Sequence, residues 1–208
     1  METNLALWEN FNRHLEHLEA DRGLSFTNAF PFTQILGTPI SYNDAMMQER
    51  ILKLESLFPE TLLKIVEIGG GYGNFCKNYK KANPKSEFTI VDNPIMHKFS
   101  KVFLDVHNIS INHVNPEDVL NINDEFDLFV AFSSLSEIAQ EYRKTLFSHI
   151  LPKCKFMIIG ETLEGIASCE DDLKKTPEFF NHFENFKKSS IDQILYPSHA
   201  LYSARRKD

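Results

Sequence analysis

Ile65-Val66-Glu67-Ile68-Gly69-Gly70-Gly71-Tyr72-Gly73 is an apolar run that meets one acid and then a glycine-dense turn. Four of the eight glycines in 208 residues fall within these positions. Glycine adopts backbone angles closed to other residues, and without a side chain it lets the main chain press close to a ligand. The residues from Asn74 to Lys81 are predicted helical, so the stretch reads as strand, turn, helix. An α/β sheet receives a nucleotide-like ligand in this way, at the carboxyl edge of its strands.

Spacing separates the candidate ligands. A dinucleotide fingerprint, G-x-G-x-x-G, puts its third glycine where the helix packs on the strand. Counted from Gly69, that place holds Asn74, and a pyrophosphate gains nothing from an anionic Glu67 just before the turn. S-adenosylmethionine has the opposite demands, because it carries a sulfonium and an ammonium but no phosphate. The pattern E-x-G-x-G-x-G, as Glu67, Gly69, Gly71 and Gly73 with Gly70 between, resembles the first motif of the class I S-adenosylmethionine-dependent methyltransferases. Two other readings stay open. One is an NAD-dependent oxidoreductase, and the other a catalytically inactive methyltransferase fold kept as an interaction subunit.

Glu87-Phe88-Thr89-Ile90-Val91 reads as a second strand ending at Asp92. Asp92 lies about twenty residues past the turn, where such folds place an acid on the ribose hydroxyls. A carboxylate accepting two hydroxyl hydrogen bonds fixes the ligand's register. Asp92 or Asn93 can instead cap a helix starting at Pro94. After the third strand, Asn115 stands where the resemblance implies a group facing the adenine amino group, with Glu117 and Asp118 as neighbours able to substitute. The same residues suit a helix start, with Asn115 as N-cap and Pro116 in the first turn.

Composition fits one globular unit, with 42% hydrophobic and 25% charged residues. A formal charge of −7 disfavours nucleic acid, whose phosphates demand a basic face. Cys76, Cys154 and Cys169 are widely spaced without a C-x-x-C, which predicts reduced thiols. The first ten residues lack the pattern of a signal peptide, and no apolar stretch approaches the roughly 18 residues that span a bilayer. A cytoplasmic location is expected. No His and Asp trio stands at metal-ligand spacing, so no metal is expected.

Residues 1–60 read as an N-terminal helical extension and 61–208 as the main domain, in one compact unit. Asn4 to Glu19 puts Leu5, Trp8, Phe11, Leu15 and Leu18 on one helical face. Phe26 to Tyr42 reads as an ordered loop. A helix is predicted over Asn43–Phe58, with Ser41 and Asp44 spaced as a capping box. Strands and helices then alternate over Leu62–Ile68, Asn74–Lys81, Glu87–Val91, Pro94–Leu104, Ser110–Val114, Leu128–Phe132, Ser136–His149 and Lys155–Gly160. This alternation implies a mostly parallel sheet with helices on both faces. Thr176–Lys188 is predicted helical, and Ser190–Tyr196 with Ala200–Arg205 form a closing antiparallel pair. A Rossmann-like sheet of seven strands, the last reversed, would complete the methyltransferase fold.

Glu67 to Phe75, Val91-Asp92-Asn93-Pro94 and Phe126-Asp127-Leu128 with Ser134-Leu135-Ser136-Glu137 together resemble the sugar O-methyltransferase family. Asn93 stands where that family usually has leucine. The resemblance implies S-adenosylmethionine as cofactor, a small hydroxylated acceptor such as a sugar, neither nucleic acid nor membrane as partner, and a monomer or homodimer. It places Ser133 at the cofactor and Ser134, Ser136 and Glu161 toward the acceptor. Glu137 is the candidate general base, with His199 the alternative; His97, His107 and His182 are weaker candidates. Helical spacing of Phe179, Phe183 and Phe186, with Phe180 beside them, suggests core packing or an apolar lid over the acceptor.

Overall fold

The computed structural model describes residues 32–35, 38–58, 61–162, 183–190 and 199–207. A two-stranded antiparallel hairpin, β1 (Phe32–Ile35) and β2 (Thr38–Ser41), leads into helix α1 (Tyr42–Leu57). The chain then follows β3 (Lys64–Ile68), α2 (Asn74–Ala82), β4 (Glu87–Val91), α3 (Pro94–Val106) and β5 (Asn112–Val114). A 3-10 turn (Pro116–Asn121) reaches β6 (Phe126–Phe132), and α4 (Gln140–His149) connects that strand to β7 (Cys154–Thr162). The hairpin β8 (Phe183–Ser190) and β9 (His199–Arg206) closes the sheet.

The sheet order is β5-β4-β3-β6-β7-β9-β8. Strands β3 to β7 pair in parallel, while β9 runs antiparallel to both β7 and β8. β3 lies between β4 and β6, and all its residues after Lys64 are buried. That continuous burial is what a parallel strand covered on both faces requires. Alternate strand residues feed two cores. Ile65, Ile90, Leu128, Val130 and Ile158 meet α1, α2 and α3 through Ile51, Leu54, Phe75, Tyr79 and Phe103. Val66, Ile68, Val91, Phe129, Ala131 and Ile159 meet α4 through Leu146 and Phe147 on the other face. The reversal of strand order on either side of β3 opens the crevice where ligands bind in such sheets.

α1 is held on α2 by a buried ion pair. Lys77 Nζ donates to Asp44 Oδ1 at 3.0 Å, and its side chain is 1% exposed. Asn78 Nδ2 donates to the same oxygen at 3.2 Å. The capping-box acid of the sequence reading therefore anchors α1 sideways onto α2. Lys77 and Asn78 in the middle of α2 thus hold α1 on the helix that follows the glycine turn.

Three expectations are corrected. The loop read over Phe26–Tyr42 contains β1 and β2; a two-stranded ribbon tolerates Pro39 because its outer edges need no partner. The helix read over Thr176–Lys188 gives way from Phe183 onward to β8, which pairs with β9. Ladder hydrogen bonds outweigh the helical spacing of the phenylalanines, so Phe183 and Phe186 are strand residues and Ser190 ends the strand that it was expected to begin. Glu184, Lys187 and Lys188 suit this edge, since charge deters further strand pairing. The helix expected over Asn4–Glu19, and Phe179, Phe180, His182 and Cys169, lie outside the described residues. Among the described residues no helix is long and apolar enough to cross a membrane.

Candidate functional site

The glycines of the turn have different tasks. Gly69 (φ 68°) lies under the chain after β6, and a methyl group there would sit 2.3 Å from Ser134 Cβ. At Gly70 it would meet Ile90 Cγ2 at 2.8 Å, and at Gly73 (φ 91°) Leu104 Cδ1 at 2.9 Å. These three let the turn pack against β4, α3 and the β6 edge. Gly71 (φ 57°) differs: among the described residues a methyl group there meets nothing closer than Met96 Cε at 4.0 Å. Its main chain faces open space, as close approach of a ligand requires.

Asp92 fastens this open turn to the end of β4. Its Oδ2 accepts from the Gly71 N–H at 2.9 Å and its Oδ1 from the Asn93 N–H at 2.7 Å. Each carboxylate oxygen keeps a further lone pair for an incoming hydroxyl. The cap of α3 is Asn93, whose Oδ1 accepts from the Ile95 and Met96 N–H groups at 3.1 and 3.0 Å. The choice of cap left open between Asp92 and Asn93 is thereby resolved, with Asn93 still exposed at the turn. At the end of β5, Asn115 accepts from the Asp118 N–H through its carbonyl at 3.0 Å, and its amide reaches Asp118 Oδ2 at 3.4 Å. Glu117 is exposed beside them.

Glu67 is 4% exposed, and its Oε2 has no hydrogen-bond partner among the described residues. Burial, reinforced by the nearby Asp92 charge and opposed by Arg50, pushes its carboxyl up to about 8. The acid read as anionic is therefore held well above the usual carboxylate range. Arg50 of α1 is 5% exposed. Its guanidinium carbon lies 4.4 Å from the centroid of the Phe132 ring, and its Nη2 reaches Ser133 Oγ at 3.4 Å. Ser133 is held at φ 54°, with its N–H on the Gly160 carbonyl at 2.7 Å.

The serine run divides. Ser134 is buried, and its Oγ donates to the Ile68 carbonyl at 2.7 Å, so it locks the β6 edge to the glycine turn and is not presented to an acceptor. Ser136 and Glu137 are exposed in the 3-10 turn Leu135–Glu137. Glu161 in β7 pairs with Ala200, and His199 in β9 with Thr162; the side chains of both lie outside the described residues. His97 packs against His113 with ring centroids 4.7 Å apart, and His107 against Phe103 at 4.9 Å, which makes both packing residues. Among the described residues no cluster of three metal-ligating side chains occurs.

Sequence reasoning missed Arg50 and Asn74. Arg50 shares the inward stripe of α1 with Met47, Ile51 and Leu54, and a cation on such a stripe was the available signal. Asn74 opens α2 at 4% exposure with its Nδ2 lacking a partner among the described residues, a second buried polar group beside the turn.

No family model matches the chain, and no curated protein matches it in sequence. Solved structures do match in fold. The methyltransferase domain of bacterial CtHen1 superposes with a TM-score of 0.61 at 13% identity, over 79% of this chain and 99% of that one. The plantazolicin methyltransferase BpumL, in complex with S-adenosylhomocysteine, gives 0.60 at 12%, over 80% and 86%. A candidate O-methyltransferase from Nostoc punctiforme gives 0.59 at 12%, over 97% of this chain and 68% of that one. The chain thus has the Rossmann-like α/β fold found in S-adenosylmethionine-dependent methyltransferases, with a mostly parallel sheet and an antiparallel last strand.

Proposed function

We propose that this protein is an S-adenosylmethionine-dependent methyltransferase that O-methylates a small hydroxylated metabolite, a sugar or nucleotide-activated sugar being the acceptor its sequence resemblance favours. One observation carries the reading: an open Gly71 main chain is fastened by Asp92, in the same turn that meets the buried Glu67, whose Oε2 has no hydrogen-bond partner among the described residues. That arrangement fits a ligand with ribose hydroxyls at one end and an ammonium at the other, and no phosphate. Solved neighbours that carry S-adenosylhomocysteine on the same fold support it.

The bound cofactor supplies an activated methyl group on sulfonium. The chain's own residues have the tasks of placement: Asp92 would take the ribose hydroxyls, Asn115 with the adjacent acids would meet the adenine amino group, and Glu67 would meet the ammonium. Alignment is most of what an in-line displacement needs. With the cofactor held by these residues, it would supply the methyl group to an acceptor hydroxyl lined up with it. The hydroxyl proton would go to a base, and Glu137, exposed in the 3-10 turn after β6, is our candidate, worth about 10²- to 10⁴-fold where it acts. We assign Ser136, exposed in the same turn, the task of orienting the acceptor. The net charge of −7 supports a small acceptor over RNA or DNA.

The test is transfer of a labelled methyl group from S-adenosylmethionine to a panel of free and nucleotide-linked sugars, with phenols, carboxylic acids and RNA as comparison acceptors. Label on a sugar hydroxyl supports the reading. Label on a nitrogen or on RNA sinks the acceptor assignment and leaves the methyltransferase.

A further inference from the structure

The amino edge of the sheet, a strand's length from the glycine turn, carries a second concavity. Lys64 and Glu87 are register partners at the starts of β3 and β4, and Thr89 pairs with Asn112 of β5. Strand alternation puts these four on the α4 side, since Val66, Val91 and Val114 of the same strands belong to or pack on that core. The connection from β5 to β6 carries a 3-10 turn (Pro116–Asn121) in place of a crossover helix. Polar strand residues therefore stand here where a covering helix would demand apolar ones. With Lys80, Asp124 and the buried rings of Phe88 and Phe126 they line a cavity of about 320 Å³. That volume lies at the lower end of the range for small-molecule sites, roughly 300–1,000 Å³.

The charges say what would fill it. Lys64, Lys80, Glu87 and Asp124 share one small space, yet the side chains of Lys64, Glu87 and Asp124 form no hydrogen bond or ion pair among the described residues. Lys80 is engaged, donating through Nζ to the Ser86 carbonyl. Charged strand ends are ordinarily left to water, but opposite charges that converge without pairing keep both signs open to a guest. A phosphate would be repelled by Glu87 and Asp124, and a bare metal cation by the two lysines. A guest that carries both charges meets a partner for each. We propose that this cavity binds a compact zwitterion of the free amino acid class, its carboxylate toward Lys64 and its ammonium toward Glu87 and Asp124. The five-residue strands β3 and β4 separate this site from the glycine turn by roughly 15 Å, at about 3.3 Å per residue, so it stands apart from the cofactor assignment.

The experiment is calorimetry on the full chain with a panel of free amino acids, S-adenosylhomocysteine being present to fill the glycine-edge crevice. At least one amino acid is expected to bind at about 1 mM or tighter. Its N-acetyl and amide derivatives, which each lack one charge, should bind about tenfold more weakly or worse, the scale of a charge-assisted hydrogen bond. Glu87→Gln and Lys64→Gln change exposed side chains, so both variants should fold and keep wild-type affinity for S-adenosylmethionine. Each should weaken amino acid binding about tenfold. Absence of binding by every amino acid overturns the proposal, as does a derivative that binds as well as its parent. Binding that survives both substitutions places the ligand elsewhere and also overturns it. Inorganic phosphate or magnesium bound here in place of an amino acid would overturn the zwitterion. The two substitutions locate the ligand whether or not the cofactor reading holds.

Discussion

The two acids at the glycine edge sit on neighbouring strands and live in opposite surroundings. Asp92, at the end of β4, accepts two backbone N–H groups and fastens the turn. Glu67, inside β3, is buried with an oxygen that has no hydrogen-bond partner among the described residues, and its carboxyl is pushed up to about 8. The contrast shows how one edge handles both ends of a ligand. An acid fed by backbone donors stays in place and serves as a fixed acceptor. An acid without such donors, buried beside the Arg50 charge, is tuned by its surroundings instead. Position alone would have given both the same role.

The sharpest way to break this contrast is at the turn between them. Gly71→Val should abolish cofactor binding, since its side chain would fill open space, with a loss of stability from the strain of a β-branched residue at φ 57°. Gly69→Ala should instead lower the melting temperature markedly, because its methyl group would collide with Ser134 Cβ at 2.3 Å. Circular dichroism melts beside ligand titrations separate the two, and a Gly71→Val protein that binds normally would show that the ligand lies elsewhere.

Next in size is Asp92→Ala, expected to weaken cofactor binding by about 1.5–3 kcal/mol, the scale of hydrogen bonds to a charged group. Part of that loss would come from the Gly71 N–H released by the substitution. Parental affinity in Asp92→Ala would leave the acid a purely structural fastening. Glu137→Gln is expected to lower turnover at least about tenfold with cofactor affinity near parental, as loss of a general base would. Unchanged turnover would direct attention to His199, Glu161 or positioning alone.

The smallest effect concerns the proton on Glu67. A carboxyl raised from 4.5 to about 8 holds its proton more tightly in the folded chain than in the unfolded one. The unfolded state therefore binds fewer protons between those values, and stability falls as pH rises through that window. An ammonium ligand favours the ionised form, so affinity for the cofactor should rise from pH 6 toward about 8. Glu67→Gln should flatten both slopes, measured as melting temperature of the free protein and as affinity against pH. Slopes that persist in the variant would belong to another group.

Much of this was legible because it depends on local chemistry. The strand–acid–glycine run, the second strand ending at Asp92 and the Asn93-Pro94 helix start are short-range signals, and β4 ends at Val91 as read. What was not legible depends on contacts between distant segments. Nothing local reveals that Ser134 would bond the Ile68 carbonyl, or that Arg50 would cross to Ser133. β8 shows the same limit from the other side: Phe183 and Phe186 carry a helical spacing, and the β9 ladder overrides it.

The central claim is that the open turn at Gly71 is a cofactor site tuned for a ribose-bearing cation without phosphate. Isothermal titration of the full chain with S-adenosylmethionine, S-adenosylhomocysteine and NAD tests it most directly. The account predicts binding of the first two at micromolar order and none of NAD under the same conditions. Tight NAD binding with neither S-adenosyl ligand bound would contradict it, and would return the chain to the oxidoreductases.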